Sequence, residues 1–211
     1  MHQEIKLISK RNEVKRIIND DKTYIIKKFR CLDEFDKEKN ILNILKENNA
    51  NVPEILYAEK NTLFLQDLGE FTLLKWYEQI ENKNSECYEE IILKLCFYFS
   101  NIYEIFKNNF KEQLILYDVN FRNFIIKNNE VYGIDFELVQ KGELENDAGK
   151  LAAYALTYDP SNTHWKIKFC NVLINMFSDK LNIDKKLILE EQNKELNNIY
   201  RRRNINVQNR N

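Results

Sequence analysis

Short runs of alternating apolar and polar residues fill the first third of the chain. From about residue 70 the apolar positions recur instead at three- and four-residue steps. "EIKLIS" reads as a strand, and "EVKRIINDDKTYIIKKF" as two strands turning at "NDDK", where Asn and Asp tolerate turn geometry. "LDEFDKEKNILNILKENN" places Phe35, Ile41, Leu42 and Leu45 on one helical stripe, with Asp33 as the expected N-cap. Pro53 ends that helix, and "ILYAEKNTLFLQDL" predicts a further strand pair turning at Glu59 to Asn61.

The rest of the pattern is helical. "FTLLKWYEQI", "CYEEIILKLCFYFSNIYEIFKNN", "ENDAGKLAAYALTY", "HWKIKFCNVLINMFSDKL" and "LILEEQNKELNNIYRRR" each carry the helical period. One β-type hairpin, "FIIKNNEVYGID", interrupts them. The pattern thus predicts an α+β chain: a small β-rich lobe with one helix over residues 1–66, then a mostly helical lobe over 67–211 that carries the hairpin. Four Gly and two Pro suit well-formed elements rather than linkers.

The stretch around that hairpin, "ILYDVNFRNFIIKNNEVYGIDFE", sets Asp118 and Asn123 in a loop before one strand and Asp135 at the end of the next. Such a trio can orient a hydroxyl and offer oxygens to a hard cation, which is what phosphoryl transfer requires. Taken singly, each is an ordinary turn residue.

The order D-x-x-x-x-N, hairpin, apolar-D-F resembles the catalytic loop and metal-binding Asp of the protein-kinase-like fold. "DVNFRN" with "IDFE" is most similar to the aminoglycoside phosphotransferase, choline kinase and lipopolysaccharide-sugar kinase branches. The resemblance covers 24–158 and rests on the order of short motifs. It implies a bilobal fold, ATP and Mg²⁺ as cofactors, Asp118 as the catalytic residue, and Asn123 and Asp135 as metal ligands. "YIIKKF" resembles the strand bearing the phosphate-binding Lys, which makes Lys27 the candidate. Lys28 is the alternative, because neighbouring strand residues face opposite ways. "EKNILNIL" resembles the helix whose Glu braces that Lys, giving Glu38. "NTLFLQDLGEFTL" resembles the hinge, where the main chain of Gln66 and Leu68 would meet adenine. In "ELENDAGKLAAYAL", Asp147 is expected to cap a helix beginning at Ala148 and to hydrogen-bond the catalytic-loop backbone.

Three departures narrow the reading. "SKRNEV" occupies the phosphate-loop position without a glycine, Leu116 and Tyr117 stand where the family has His-Gly or His-Arg, and no long activation segment follows Asp135. With Leu116 offering packing alone, loop rigidity has to come from elsewhere. The implied activity is transfer of the ATP γ-phosphate to a hydroxyl of a small molecule such as an amino-sugar, amino-alcohol or envelope sugar. An atypical protein kinase, or a weakly catalytic scaffold of the same fold, is the alternative. Glu137, Glu143, Glu145 and Asp147 form an acidic stretch that would draw a cationic acceptor, or else a solvated loop offset by Lys141 and Lys150. Arg201 to Arg203 read as a basic tail, or as a contact for a phosphorylated or membrane-surface acceptor.

Charge changes the picture only by exclusion. Thirty-two basic residues against 33 acidic ones leave a net charge of -1, without the basic surplus a nucleic-acid binder needs. The aromatics Tyr98, Phe99, Tyr103 and Phe106 recur along one helix and read as core. Cys31, Cys87, Cys96 and Cys170 are scattered without CxxC spacing and read as buried reduced thiols. The charged start "MHQEIKLISKRNEVKR" is unlike a leader, and no apolar run approaches the ~18 residues of a membrane span, so a cytoplasmic location is expected.

Overall fold

A computed structural model of the chain describes residues 2–20 and 22–208. The strands are β1 (His2–Leu7), β2 (Glu13–Asn19), β3 (Lys22–Lys28), β4 (Ile55–Glu59), β5 (Thr62–Gln66), β6 (Leu114–Ile115), β7 (Phe124–Lys127), β8 (Glu130–Gly133) and β9 (Gln140–Lys141). The helices are α1 (Leu32–Glu47), α2 (Leu73–Asn82), α3 (Glu89–Asn109), α4 (Leu144–Thr157), α5 (His164–Leu181) and α6 (Lys185–Gln208), with one 3-10 turn at Phe121–Asn123. The α+β architecture expected from the periodicities is the observed one.

The chain divides into two compact units. One is Met1–Phe71 with Ile125–Leu138, the other Thr72–Phe124 with Val139–Asn211. The first holds an antiparallel five-stranded sheet of order β1-β2-β3-β5-β4. Its helix, α1, buries Phe35, Ile41, Leu42 and Leu45 as the stripe predicts, and Glu38 lies on the same buried stripe. Asp33 is not the cap: α1 starts at Leu32 with Cys31 at the N-cap position, which puts the Asp33 carboxylate in the first turn, where the helix dipole favours it.

The division differs from a boundary at residue 66 in two places. Residues 67–71 stay with the sheet, and so do 125–138. Main-chain bonds account for this: Ile126 N–H donates to the Phe71 carbonyl at 2.8 Å, and Gly133 N–H to that of Asn51 at 3.0 Å. Asn128 and Asn129 carry the two positive φ angles, 51° and 63°, that a two-residue hairpin turn matching strand twist demands.

The second unit is built on aromatic packing. Tyr77 of α2 meets Phe121, Trp165 and Phe169 edge-on at 5.0, 5.0 and 4.8 Å between ring centres. Tyr98, Phe99, Tyr103 and Phe106 of α3 are buried, as core residues should be. Cross-chain polar ties fix the rest. Buried Lys166 of α5 pairs with Glu81 of α2 at 2.5 Å, and Thr163, the N-cap of α5, donates to the same carboxylate. Helix α6 runs so close to α4 that a Cβ on Gly149 would lie 2.5 Å from that of Glu191. The β6–β9 pair is too short to leave a sequence signal.

All four cysteines are free, but only Cys96 and Cys170 are buried. Cys31 and Cys87 are exposed because they flank helix starts rather than lie on an apolar stripe. Among the described residues no helix is long and apolar enough to cross a membrane.

Candidate active site

Each compact unit carries its own cluster of the residues singled out in the sequence. In the sheet unit the centre is Lys27. On β3 it faces inward and is buried, whereas Lys28 is exposed, so strand alternation settles which of the two lysines points inward. Its ammonium lies 2.6 Å from Glu38 Oε2 on α1, 2.7 Å from Asp135 Oδ1 and 3.0 Å from Glu137 Oε2. Glu38, 11 positions from Lys27, and the neighbouring Asp135 and Glu137, of which Asp135 is 108 positions away, thus converge on one cation.

Burial alone would depress the Lys27 ammonium. The carboxylates of Glu38, Asp135 and Glu137 outweigh it and hold the group above the ordinary lysine range. Glu38 is wholly buried, and that burial pushes its carboxyl up to about 7 against the pull of Lys27, with Asp135 and Glu137 adding to the rise. Burial also raises Glu137. One ammonium facing three carboxylates leaves an excess of negative charge. Their ligand oxygens lie within 4.8 Å of one another, and Asp135 keeps a partly exposed carboxylate. That is an all-oxygen donor set suited to a hard divalent cation.

Asp135 itself adopts a φ of 68°, a left-handed backbone uncommon for a non-glycine residue and characteristic of places where a side chain is aimed at the cost of strain. Glu137 was not singled out as a site residue, only as part of an acidic stretch. The available signal was its spacing, two residues beyond Asp135. Asn12 was missed altogether. It sits at the end of the glycine-free β1–β2 turn, is buried, donates from Nδ2 to Glu137 Oε2, and accepts the Arg30 N–H at 3.2 Å. The turn is therefore anchored by a side-chain amide where glycines would leave it loose.

At the end of β5, the Gln66 N–H is bonded to the Glu54 carbonyl at 2.9 Å, and Leu68 is buried. Between them stands Asp67, whose carboxylate takes the Gly69 N–H at 2.9 Å. Arg16 of β2 reaches this carboxylate with two nitrogens, Nε at 2.7 Å and Nη2 at 2.9 Å, and also contacts the Gly69 carbonyl and Glu70. Nothing in the sequence separates Arg16 from the many basic residues of solvated strand faces.

In the helical unit, Asp118 and Asn123 share one braced loop. Asn123 Nδ2 donates to the Asp118 carbonyl at 3.0 Å, and Asn120 Nδ2 to Asp118 Oδ1 at 2.8 Å. Asn120 also caps the 3-10 turn by accepting the Arg122 N–H. Buried Val119 and Phe121 root the loop in the core, and the Tyr158 hydroxyl accepts the Phe121 N–H at 2.8 Å. Just ahead, Tyr117 has a φ of 68° and the Asp118 N–H turns back to the Leu116 carbonyl at 2.9 Å, the strained form of γ-turn.

What stiffens that turn, in place of the histidine the resemblance would supply, is Asp147. Its fully buried carboxylate accepts the Leu116 N–H at 2.7 Å, the Tyr117 N–H at 2.9 Å and the Tyr103 hydroxyl at 3.0 Å. Burial lifts the Asp147 carboxyl to about 6 even against these three donors. Lys150 adds a bond to the Tyr117 carbonyl at 3.1 Å. Asp147 does not cap a helix at Ala148. Helix α4 begins earlier, at Leu144, closed by a reciprocal pair between Glu143 and Asn146.

The acidic stretch therefore does not act as one surface. Glu137 is buried on Lys27, Asp147 is buried on loop amides, and Glu143 closes a helix. The basic run at its far end is also in part committed: Arg202 pairs with Glu195 at 2.6 Å, and Arg203 donates to the Thr157 carbonyl.

No protein-family model and no curated protein matches the sequence. Solved structures do. An amicoumacin kinase, in complex with AMP-PNP, Ca²⁺ and its ligand, superposes with a TM-score of 0.63 at 14% identity, covering 84% of this chain and 71% of that one. An ethanolamine kinase of Plasmodium vivax does so with a TM-score of 0.53 at 14% identity, covering 90% and 77%. At such identity the likeness speaks for the backbone arrangement alone, and on it the chain has the protein-kinase-like fold.

Proposed function

We propose that the chain is an ATP-dependent kinase transferring the γ-phosphate to a hydroxyl of a small molecule. The observation that carries this reading is the convergence of Lys27, Glu38 and Asp135 in the sheet unit. A buried lysine held by a helix glutamate beside a strand-end aspartate is the arrangement that binds nucleotide phosphates in kinases. Lys27 would donate to the α/β-phosphates, with Glu38 keeping its ammonium in place. The main-chain carbonyl of Gln66 and the N–H of Leu68 would receive the adenine edge.

Asp135 and Asn123 would hold Mg²⁺, and the carboxylate excess around Lys27 supports a divalent cation there. The neighbouring kinase carries AMP-PNP and Ca²⁺. Bound metal supplies charge neutralisation at the β- and γ-phosphates. Asp118 would orient the acceptor hydroxyl and take up its proton, with Asn120 fixing the carboxylate rotamer. Amino-sugars, amino-alcohols and envelope sugars are the acceptor classes in view, since the structural neighbours are kinases of amicoumacin and of ethanolamine.

A labelled-ATP screen of the purified chain with Mg²⁺ tests this. The panel is aminoglycosides, amino-alcohols, sugars and generic proteins, with Asp118→Asn run in parallel. Transfer to a small hydroxyl compound that disappears in Asp118→Asn is the expected result. Transfer to protein alone would favour the protein-kinase reading, and Mg²⁺-independent ATP binding without transfer would favour the scaffold.

A further inference from the structure

The sheet pairing aligns Arg16 with Ile25, and Ile25 with Leu65. By strand alternation Lys27 shares that face with them. Two buried cations therefore occupy one side of the sheet, and they have different partners. Lys27 serves the carboxylates of α1 and of the segment after β8. Arg16 serves the chain leaving β5, where Asp67, Gly69 and Glu70 follow one another.

The geometry at Arg16 is that of a clamp. Both its side chain and that of Asp67 are all but closed to solvent, at 7% and 6% exposure. Nη2 of the guanidinium donates both to Asp67 Oδ1 and to the Gly69 carbonyl, while Nε lies 2.7 Å from Asp67 Oδ2 as a close ion-pair contact without hydrogen-bond alignment. Asp67 in turn ties down the Gly69 N–H. Gly69 has a φ of +99°, open to glycine and strained for other residues, and no Cβ there would meet anything within 4 Å. Without these bonds the stretch 67–70 would be a pliable exit from the sheet. With them, its main chain is held from both sides of Leu68.

Resting on the kinase reading above, we infer that Arg16 and Asp67 are positioning residues for the nucleoside: they hold the Gln66 carbonyl and Leu68 N–H at the spacing a purine edge requires. Asp67 does not touch the base. It acts through the conformation of its neighbours, and Arg16 acts both through Asp67 and directly on the Gly69 carbonyl. The two buried cations thereby divide the labour, Lys27 for the phosphates and Arg16 for the base.

The test compares binding of adenosine, which has no phosphate, with that of Mg·ATP, by calorimetry on wild type, Arg16→Met, Asp67→Asn, the double variant and Lys27→Met. Loss of one positioning bond should weaken adenosine about tenfold in Arg16→Met and in Asp67→Asn, and Mg·ATP by the same factor. The double variant should be weakened by less than the two single losses combined, because the singles share the Arg16–Asp67 contact while each also holds Gly69 by its own bond. Lys27→Met should spare adenosine and weaken Mg·ATP. Asp67→Asn preserves shape and keeps the test open if Arg16→Met does not fold. A wild type that binds Mg·ATP while folded Asp67→Asn keeps wild-type adenosine affinity overturns the clamp and leaves the kinase reading in place. A wild type that binds neither adenosine nor Mg·ATP overturns both.

Discussion

Lys27 and Asp135 meet at 2.7 Å, a strand residue of the sheet and the residue that follows a remote hairpin. Their meeting depends on the hairpin being bonded into the sheet unit, at Phe71 and Asn51, rather than standing alone among helices. Four charged side chains then share a space mostly closed to water, and removing the lysine leaves three carboxylates without their counter-charge.

Lys27→Met should accordingly destabilise the fold by about 3 kcal/mol or more, since three carboxylates lose their one cation. Added Mg²⁺ should restore part of the loss if the oxygens are metal donors. Thermal denaturation of wild type and variant, with Mg²⁺ and with a chelator, reads both effects. A variant as stable as wild type in chelator would contradict the charge argument.

Glu38→Gln keeps the shape of the brace and removes its charge. The kinase reading predicts a fall in kcat/KM for ATP of about 10²-fold, from a Lys27 no longer fixed for the phosphates. Steady-state kinetics against ATP decides it, and an unchanged kcat/KM would remove Glu38 from the site.

Asp118→Asn should lower kcat by about 10² to 10⁴ while nucleotide affinity stays near wild type. Asp135→Asn should instead weaken Mg²⁺-dependent nucleotide binding. Calorimetry beside turnover assays separates the two, and full turnover in both variants would end the proposed mechanism.

Asp147 has a pH signature. Its folded carboxyl titrates near 6, above the ordinary aspartate value of 3.8, because burial outweighs its donors. The folded state therefore binds the proton more tightly than the unfolded chain. The contribution to stability is full below about 4 and is lost as pH rises through 6, an effect of about 3 kcal/mol. Wild type should lose stability relative to Asp147→Asn over that window, and urea denaturation at stepped pH measures it. Parallel curves would show that Asp147 does not titrate in this range.

Much of the fold was legible because strand and helix periods differ and few turns were ambiguous. Glu38 could be placed because it lies on the apolar stripe of α1, among Phe35, Ile41, Leu42 and Leu45. Lys27 followed from the resemblance of "YIIKKF" to the lysine-bearing strand, while alternation showed only that Lys27 and Lys28 face opposite ways. Arg16 and Asn12 could not be placed, since each finds its partner through sheet register and chain return, not through local spacing. Glu137 lay within reach of a spacing argument, yet read as surface because its neighbours in sequence are acidic. The failed cap at Asp33 and the earlier start of α4 have one cause. Helix ends depend on which backbone amides find acceptors, and Cys31 and Glu143 supplied starts that composition does not announce.

The turn at Tyr117 carries a wider implication. It is gripped by a carboxylate through the amides of residues 116 and 117, atoms that every amino acid but proline possesses. The grip on the chain there does not depend on side-chain identity, although burial at Leu116 and the left-handed backbone at Tyr117 still limit what can replace them. A lineage built in this way can drift beyond the reach of motif comparison and still keep its reactive loop in shape.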